Sequence, residues 1–318
     1  MEKLIVSTSP HLHTKATTSK IMRDVIIALL PATVAGVVLF GVQALITIAL
    51  CVGTCFFSEL LFNLFTKKKQ TVGDFSAVVT GLLLALTLPA KVGVWQCVLG
   101  SVFAIVVVKC FFGGIGCNFA NPAITARVML LGSFGTAVGG GSHTVLQDAA
   151  LVGGATPLEI LKGDDLTKLP SILDMAMGNR MGAIGETCAI ALVLGFLYLL
   201  ARKVISWHVP VVYVGTVFAL SFVLEGFNVE TALYQVLGGG LLLGAIFMAT
   251  DYVTSPINKR GKVVFALGCG LLTILFRYFS KVPEGVSYAI LLMNILSPYI
   301  EKLCAKKPFG KVGKKNEN

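Results

Sequence analysis

The chain contains 318 residues, of which 55% are hydrophobic and 13% are charged, and its mean hydropathy is +0.84. This composition excludes an ordinary soluble domain and is typical of a membrane protein with several spans. The formal net charge of +10 does not indicate a nucleic-acid partner, because the basic residues form short clusters between apolar runs.

Segment 1–23 is largely polar and lacks the ordered charged, apolar and cleavage regions of a signal peptide. Insertion into the lipid bilayer is therefore expected to begin with the first apolar segment. A spanning helix needs about 20 mostly apolar residues. The predicted spans are 24–40, 42–65, 74–90, 93–112, 121–138, 181–201, 207–225, 231–250, 262–280 and 285–303.

The third and fifth spans carry Gly, Pro and Asn at their ends, which predicts broken helices whose freed backbone groups face protein rather than lipid. The predicted fold class is therefore an all-α polytopic membrane protein with about ten transmembrane helices. Eight cysteines lie mostly inside the apolar runs without a C-x-x-C pair, so neither disulfides nor a metal site is expected. Cys51 and Cys55 would lie one helical turn apart, but packing explains them better than a metal.

The distribution of Lys and Arg predicts the orientation, because cytoplasmic loops are enriched in both. With both termini inside, 18 of the 26 basic residues lie on the cytoplasmic side. The predicted regions are a cytoplasmic segment 1–23, a first membrane half 24–138, an extracytoplasmic loop 139–180, a second membrane half 181–303 and a basic cytoplasmic tail 304–318. A loop as long as 139–180 usually has a function.

The two membrane halves resemble each other. GLLLALTLPA from Gly81 is followed by a helix that ends in KCFFGGIGCNFANPAITAR, and GLLLGAIFMATDYVTSP from Gly240 by one that ends in RYFSKVPEGVSYAILLMN. Transporter folds contain such repeats, with sites near the interface between them. The alternative is that any two Gly-rich membrane helices share these features.

The long loop contains the sequence GGATPLEILKG, which predicts a short helix. Thr156 is the expected N-cap, Pro157 the first helical residue and Glu159 the partner in a capping box, and Gly163 ends the helix. A functional interpretation of this sequence uses the same capped helix. Gly153, Gly154 and Ala155 leave the backbone uncovered, and a phosphate on the Thr156 hydroxyl would lie near free N–H groups of the helix.

Three motifs in order, GGIGCNFANPAITAR, GGATPLEIL and MATDYVTSPINKRGK, together with the ten-span layout, resemble the RnfD family, the D subunits of Rnf complexes, which are the ion-translocating ferredoxin:NAD oxidoreductases of bacteria. The chain is more distantly similar to the B subunits of the sodium-translocating NADH:quinone oxidoreductases. The resemblance covers nearly the whole chain.

This resemblance implies that Thr156 carries FMN through a phosphoester bond, with Gly153, Gly154, Ala155 and Pro157 around it. A separate flavin transferase would attach the FMN. The chain would lie in the bacterial cytoplasmic membrane with the flavin loop outside. It would transfer electrons with the other Rnf subunits as partners, coupled to sodium or proton transport and without independent activity.

The resemblance also makes a second, non-covalent flavin, riboflavin, plausible near Asn118 and Asn121. The alternative for Asn121 is helix capping ahead of Pro122. Acids inside a membrane are costly unless they are paired or hydrated. Glu59 and Glu186 are therefore the leading candidates for an ion pathway, ahead of Glu225, Asp74 and Asp251, and structural pairing with Arg127 or Arg277 is the alternative.

A second function class fits the same pattern. A solute or ion channel or transporter without a redox cofactor could use the interrupted helices and the buried acids, with GGATPLEIL as a capped loop only. A scaffold protein of the complex without flavin would also share this loop. The chemistry at Thr156 discriminates among the three.

Overall fold

The computed structural model describes residues 16–142, 144, 155–163, 169–280 and 284–305. Within these ranges the regular structure is helical, and the β-type pairing is one isolated antiparallel bridge between Ser142 and Gly182. The helices of the first half are α1 (Thr18–Phe40), α2 (Val42–Phe65), α3 (Ser76–Thr87), α4 (Val94–Val102, continued by a π-helical stretch over Phe103–Cys110) and α5 (Pro122–Val138).

Two short helices, α6 (Pro157–Lys162) and α7 (Ile172–Met177), lie between the halves. The helices of the second half are α8 (Ala189–Ala201), α9 (His208–Leu224), α10 (Val229–Leu237), α11 (Leu241–Leu243, continued by a π-helical stretch over Gly244–Met248), α12 (Lys259–Phe279) and α13 (Val286–Cys304). Each of the ten predicted spans contains a helix, which confirms the all-helical polytopic fold.

Three helices, α1, α2 and α12, are long and apolar enough to cross a membrane on their own. Among the described residues, most of the other predicted spans are shorter or interrupted, whereas the 19 residues of α13 are long enough but less apolar. The third contains only the 12 residues of α3, and the fifth, α5, has a non-helical Phe134. Both therefore agree with the prediction of broken helices.

The eighth span is also broken, which the sequence did not predict. Its two parts, α10 and Leu241–Met248, are bent by 62° relative to each other. Gly239 and Gly240 in the break have φ values of 64° and 66°. Residues with side chains rarely adopt this left-handed conformation, so the glycines allow the bend.

Two predicted boundaries differ from the structure by six residues or more. Helix α1 begins at Thr18, ahead of the predicted residue 24, because the Thr17 side chain accepts a hydrogen bond from the Lys20 N–H and caps it. The predicted span 181–201 becomes helical only at Ala189. The stretch before it is irregular because its N–H groups bond to the end of α3: Ile184 N to Leu88 O at 3.1 Å and Gly185 N to Leu86 O at 2.8 Å.

Buried arginines donate to further carbonyl groups that the breaks set free. Arg127 donates to Thr87 O at the end of α3. Arg180 donates to Leu237 O at 2.7 Å, at the end of α10. Backbone carbonyls away from water must be paired, and a cation at a helix C-terminus also opposes the negative end of the helix dipole.

The helices pack around a large apolar core that includes residues of both halves. Helix α1 packs on α8, α2 on α3, and α12 on α9 and α13. Helix α9 starts near the C-terminal end of α8 and ends at the C-terminal end of α12, where Tyr278 donates to Glu225. Its 17 residues therefore separate the two ends of the molecule by roughly 25 Å.

We predict that Arg180→Met destabilises the protein by about 2–5 kcal/mol, because two buried carbonyls, Leu237 O and Glu186 O, lose a charged donor. Thermal unfolding in detergent measures this loss. The control is Arg260→Met, the same exchange at an exposed position of α12, which should change stability by less than about 0.5 kcal/mol. Equal stability of the two variants would contradict the role given to Arg180.

Candidate functional site

Thr156 caps α6 as predicted. Its backbone is extended, Pro157 is the first helical residue, and the Glu159 side chain bonds back to Thr156 as in a capping box. Glu159 Oε2 accepts from the Thr156 N–H at 2.6 Å and from the Thr156 hydroxyl at 3.0 Å. The capping box therefore holds the hydroxyl of Thr156 in one position, and Gly163 ends the helix.

The Thr156 side chain lies against the segment that joins the two halves. It is 7% exposed. A Cβ atom at Gly141 would lie 3.0 Å from Thr156 Cγ2 and 2.9 Å from the Gly182 nitrogen, so the three residues are in close contact. Pro157 is buried and Ala155 is half-buried, whereas Gly153 and Gly154 lie outside the described residues.

An open cleft of about 920 Å³ lies beside α6, and we call it the Arg277 cleft. Its lining residues are Leu158, Leu161, Lys162, Glu225, Gln235, Arg277, Tyr278 and Ser280. Leu158, which follows Thr156 by two residues, lines this cleft, so a group esterified to Thr156 would be attached near one wall of it. The residues present are therefore compatible with a tethered cofactor.

A second cleft, which we call the Asn121 cleft, holds about 830 Å³ of empty space, including the solvent at its open mouth, and lies at the other end of α9. Its polar lining residues are Ser76, Thr80, Lys109, Asn118, Asn121, Thr250, Asp251 and Tyr252. Its apolar lining residues are Ile21, Met22, Val25, Val79, Leu83, Ile115, Pro122, Leu199, Val204, Ile205, Phe247 and Val253. Apolar walls with a few polar groups are typical of small-molecule sites.

The two asparagines predicted from the sequence both line the Asn121 cleft. Asn121 caps α5 as the alternative predicted, accepting from Ala123 N at 3.0 Å and Ile124 N at 3.4 Å. Its amide also donates to Met248 O at 3.5 Å, which joins α5 to the end of the broken eighth span. Asn118 donates to Ala120 O at 3.0 Å. Asn121 therefore both caps α5 and lines the cleft.

Asp251 is an acid of the Asn121 cleft that follows the eighth span. Burial raises the pKa of its carboxyl group, and hydrogen bonds from the Val253 N–H and from the hydroxyl of Thr254 oppose this shift. From the sequence, Asp251 was predicted to lie at the membrane boundary, but its proximity to Asn118 and Asn121 was not predicted.

The sequence matches a known family over nearly its full length. The model of the NQR2, RnfD, RnfE family matches residues 5–310. The chain belongs to this family. It is 43% identical over 309 residues to the D subunit of the Na(+)-translocating ferredoxin:NAD(+) oxidoreductase complex of Acetobacterium woodii, covering 96% of this chain and 95% of that one.

Two further relatives of the NQR2, RnfD, RnfE family have similar coverage. The chain is 40% identical to the D subunit of the proton-translocating ferredoxin:NAD(+) oxidoreductase complex of Clostridium ljungdahlii, over 96% of both chains. It is 35% identical to the D subunit of the ion-translocating oxidoreductase complex of Stutzerimonas stutzeri, over 93% of both. The resemblance predicted from the three motifs is confirmed.

Glu59, one of the two residues predicted to form an ion pathway, is 1% exposed and forms an ion pair. Its partner is Lys109, at 2.7 Å, and it also accepts from the Thr71 hydroxyl at 2.6 Å. Pairing with Arg127 or Arg277, the alternative from the sequence, is therefore incorrect for Glu59. Lys109 donates in addition to Ser76 Oγ at 2.6 Å and lines the Asn121 cleft.

Glu186, the second predicted ion-pathway residue, lies in a different part of the molecule. Its carboxylate accepts from the Ala183 N–H at 3.1 Å and lines a small cavity together with Glu284 and Arg127. Arg127 forms an ion pair with Glu284, which was not predicted because Glu284 stands in the turn before the last span. The structure therefore does not bring Glu59 and Glu186 together.

We predict that Lys109→Met destabilises the protein by about 3–5 kcal/mol, because Glu59 stays buried without its cation. The double variant Lys109→Met, Glu59→Leu should recover much of this loss, since no buried charge is left unpaired. Denaturation in detergent measures both. A single variant as stable as the wild type, or a double variant that is worse than the single one, would contradict the pairing.

As a control, Arg202→Met removes an ion pair with Asp24 in which the arginine is 46% exposed. Exposed pairs contribute about 0–1 kcal/mol, so this variant should lose much less stability.

Proposed function

We propose that this protein is the D subunit of an Rnf-type complex that carries FMN on Thr156 and transfers electrons within a ferredoxin:NAD oxidoreductase. The observation that carries the proposal is the fixed, buried hydroxyl of Thr156 in GGATPLEIL, at the start of the helix whose Leu158 lines an open cleft. The names of the relatives in Acetobacterium woodii and Clostridium ljungdahlii, both D subunits of such complexes, support it.

The role of the chain in this chemistry is to hold the flavin in a defined position. A bound flavin accepts and donates one or two electrons, so it can connect one-electron and two-electron carriers. Thr156 would hold its phosphate through Oγ1. The capping box with Glu159 and the contacts with Gly141 and Gly182 would fix the attachment point relative to the helices. The chain would act as a carrier and would have no catalytic activity by itself.

A second flavin, riboflavin, would bind without a covalent bond in the Asn121 cleft. The cleft offers apolar side chains for the faces of a planar ring and polar groups such as Asn118, Asn121 and Thr80 for its edge. Since α9 separates the Asn121 cleft from the Arg277 cleft, the two flavins would lie toward opposite ends of the molecule.

The placement of Lys and Arg supports an extracytoplasmic position for the Thr156 loop and a cytoplasmic one for the Asn121 cleft. The partners would be the other Rnf subunits and, during maturation, a flavin transferase. Electron flow would be coupled to transport of sodium or protons, and the relatives include one of each kind. Glu59 and Glu186, both buried, would contribute to the ion pathway.

The first experiment is flavin fluorescence in a denaturing gel, with the chain co-expressed with a flavin transferase. The wild-type band should fluoresce and the Thr156→Ala band should be dark, because the hydroxyl that forms the ester is missing. Thr156→Ser is the matched control, since it retains a hydroxyl, and its band should fluoresce.

A dark wild-type band, with the transferase active on another substrate, would contradict the proposal. A channel, a transporter or a scaffold protein without flavin would then be the better interpretation of the same helices.

A further inference from the structure

The Arg277 cleft contains a buried cation that is bonded only to neutral groups. Arg277 is 2% exposed. Its guanidinium donates to Gln235 O, to Gln235 Oε1 at 3.1 Å and to Gly238 O at 3.0 Å, and its Nε has no hydrogen-bond partner. The ion pairs among the described residues do not include it.

The carboxylates of Glu186 and Glu284 act on Arg277 electrostatically from a distance, but neither forms an ion pair with it. The buried guanidinium therefore still favours a contacting ligand that is or becomes negative. The carboxylate in the lining, Glu225, already accepts the Tyr278 hydroxyl. Lys162, an exposed residue at the rim of the cleft, adds a second positive charge and donates to Ser280 O at 2.6 Å. The cleft is therefore electropositive on balance.

Helix α6 is packed directly over Arg277. A Cβ atom at Gly239 would lie 2.3 Å from Leu158 Cδ1 and 3.0 Å from Arg277 Nη2, so both side chains meet over this glycine. Leu158, Leu161 and Lys162 form one face of α6 toward the cleft. Thr156 stands at the start of the same helix, so a group tethered there can extend along α6 toward Arg277.

The repeat predicted from the sequence would place a second cation in an equivalent position. Lys109 lies at the end of the fourth span and Arg277 at the end of the ninth, each followed by aromatic residues. Lys109 lines the Asn121 cleft as Arg277 lines its own. Each cleft thus has a buried cation from the same place in the repeat, which is expected if both receive the same class of ligand.

We propose that the Arg277 cleft receives the isoalloxazine ring of the flavin on Thr156, and that Arg277 is a positioning residue that raises the reduction potential of this ring. The inference rests on the proposed function. When the ring takes up two electrons and one proton from an iron–sulfur or flavin donor, it gains one negative charge. A fixed cation stabilises this charge in a site of low dielectric constant, and the neutral oxidised ring gains much less.

The test is a redox titration of the full-length, flavin-loaded chain in detergent, with dithionite and mediators. Arg277→Gln should lower the ratio of reduced to oxidised flavin at a fixed potential by at least tenfold, which is about 30 mV for a two-electron couple. Arg277→Lys keeps the charge and should stay close to the wild type. Arg260→Gln, on the same helix far from the cleft, should have no effect.

An unchanged potential in Arg277→Gln with a full flavin load would overturn the inference. If Arg277→Gln does not fold, Lys162→Gln replaces it, because this exposed side chain can be changed without unfolding the core. Lys162→Gln should shift the potential in the same direction by a smaller amount, and no shift would overturn the inference. A wild-type chain without covalent flavin would instead refute the proposed function, so the two failures can be distinguished.

Discussion

Broken helices inside an apolar protein must have their free carbonyl groups bonded, and this requirement organises the whole structure. Three arginines, Arg127, Arg180 and Arg277, supply the donors at the ends of α3 and α10. Each is nearly inaccessible to solvent. Their positive charges also oppose the negative ends of the helix dipoles, which partly offsets the cost of burying them. The helix breaks therefore depend on the buried arginines that bond their free carbonyl groups.

The candidate sites lie where this arrangement leaves space. Helix α6 rests on the glycines of the break after α10, so the Thr156 loop is placed by the same backbone that Arg277 holds. In the other half, Asn121 joins the start of α5 to the end of the eighth span. Lys109 there is neutralised by Glu59, whereas Arg277 has no carboxylate partner among the described residues. The two clefts therefore differ in charge although they occupy related positions.

Features that depend on neighbouring residues in the sequence could be predicted, and features that depend on distant ones could not. Hydropathy located the helices because burial in lipid requires long apolar runs. The capping box of Thr156 and Glu159 and the cap by Asn121 are local, so their residue types and spacing were sufficient. The pairs Lys109–Glu59 and Arg127–Glu284 join residues 50 and 157 positions apart, and only packing selects them. The irregular stretch before Ala189 likewise depends on hydrogen bonds to α3.

We propose that two flavins are held toward opposite ends of this chain, one by a covalent bond and one without. The most direct measurement is the flavin content of the purified wild-type chain, divided by denaturation and filtration into released and retained fractions. We expect one retained flavin per chain, on the peptide that contains Thr156, and one released flavin identified as riboflavin. A chain that retains none would contradict the redox function, and a chain that retains one but releases none would contradict the assignment of the Asn121 cleft.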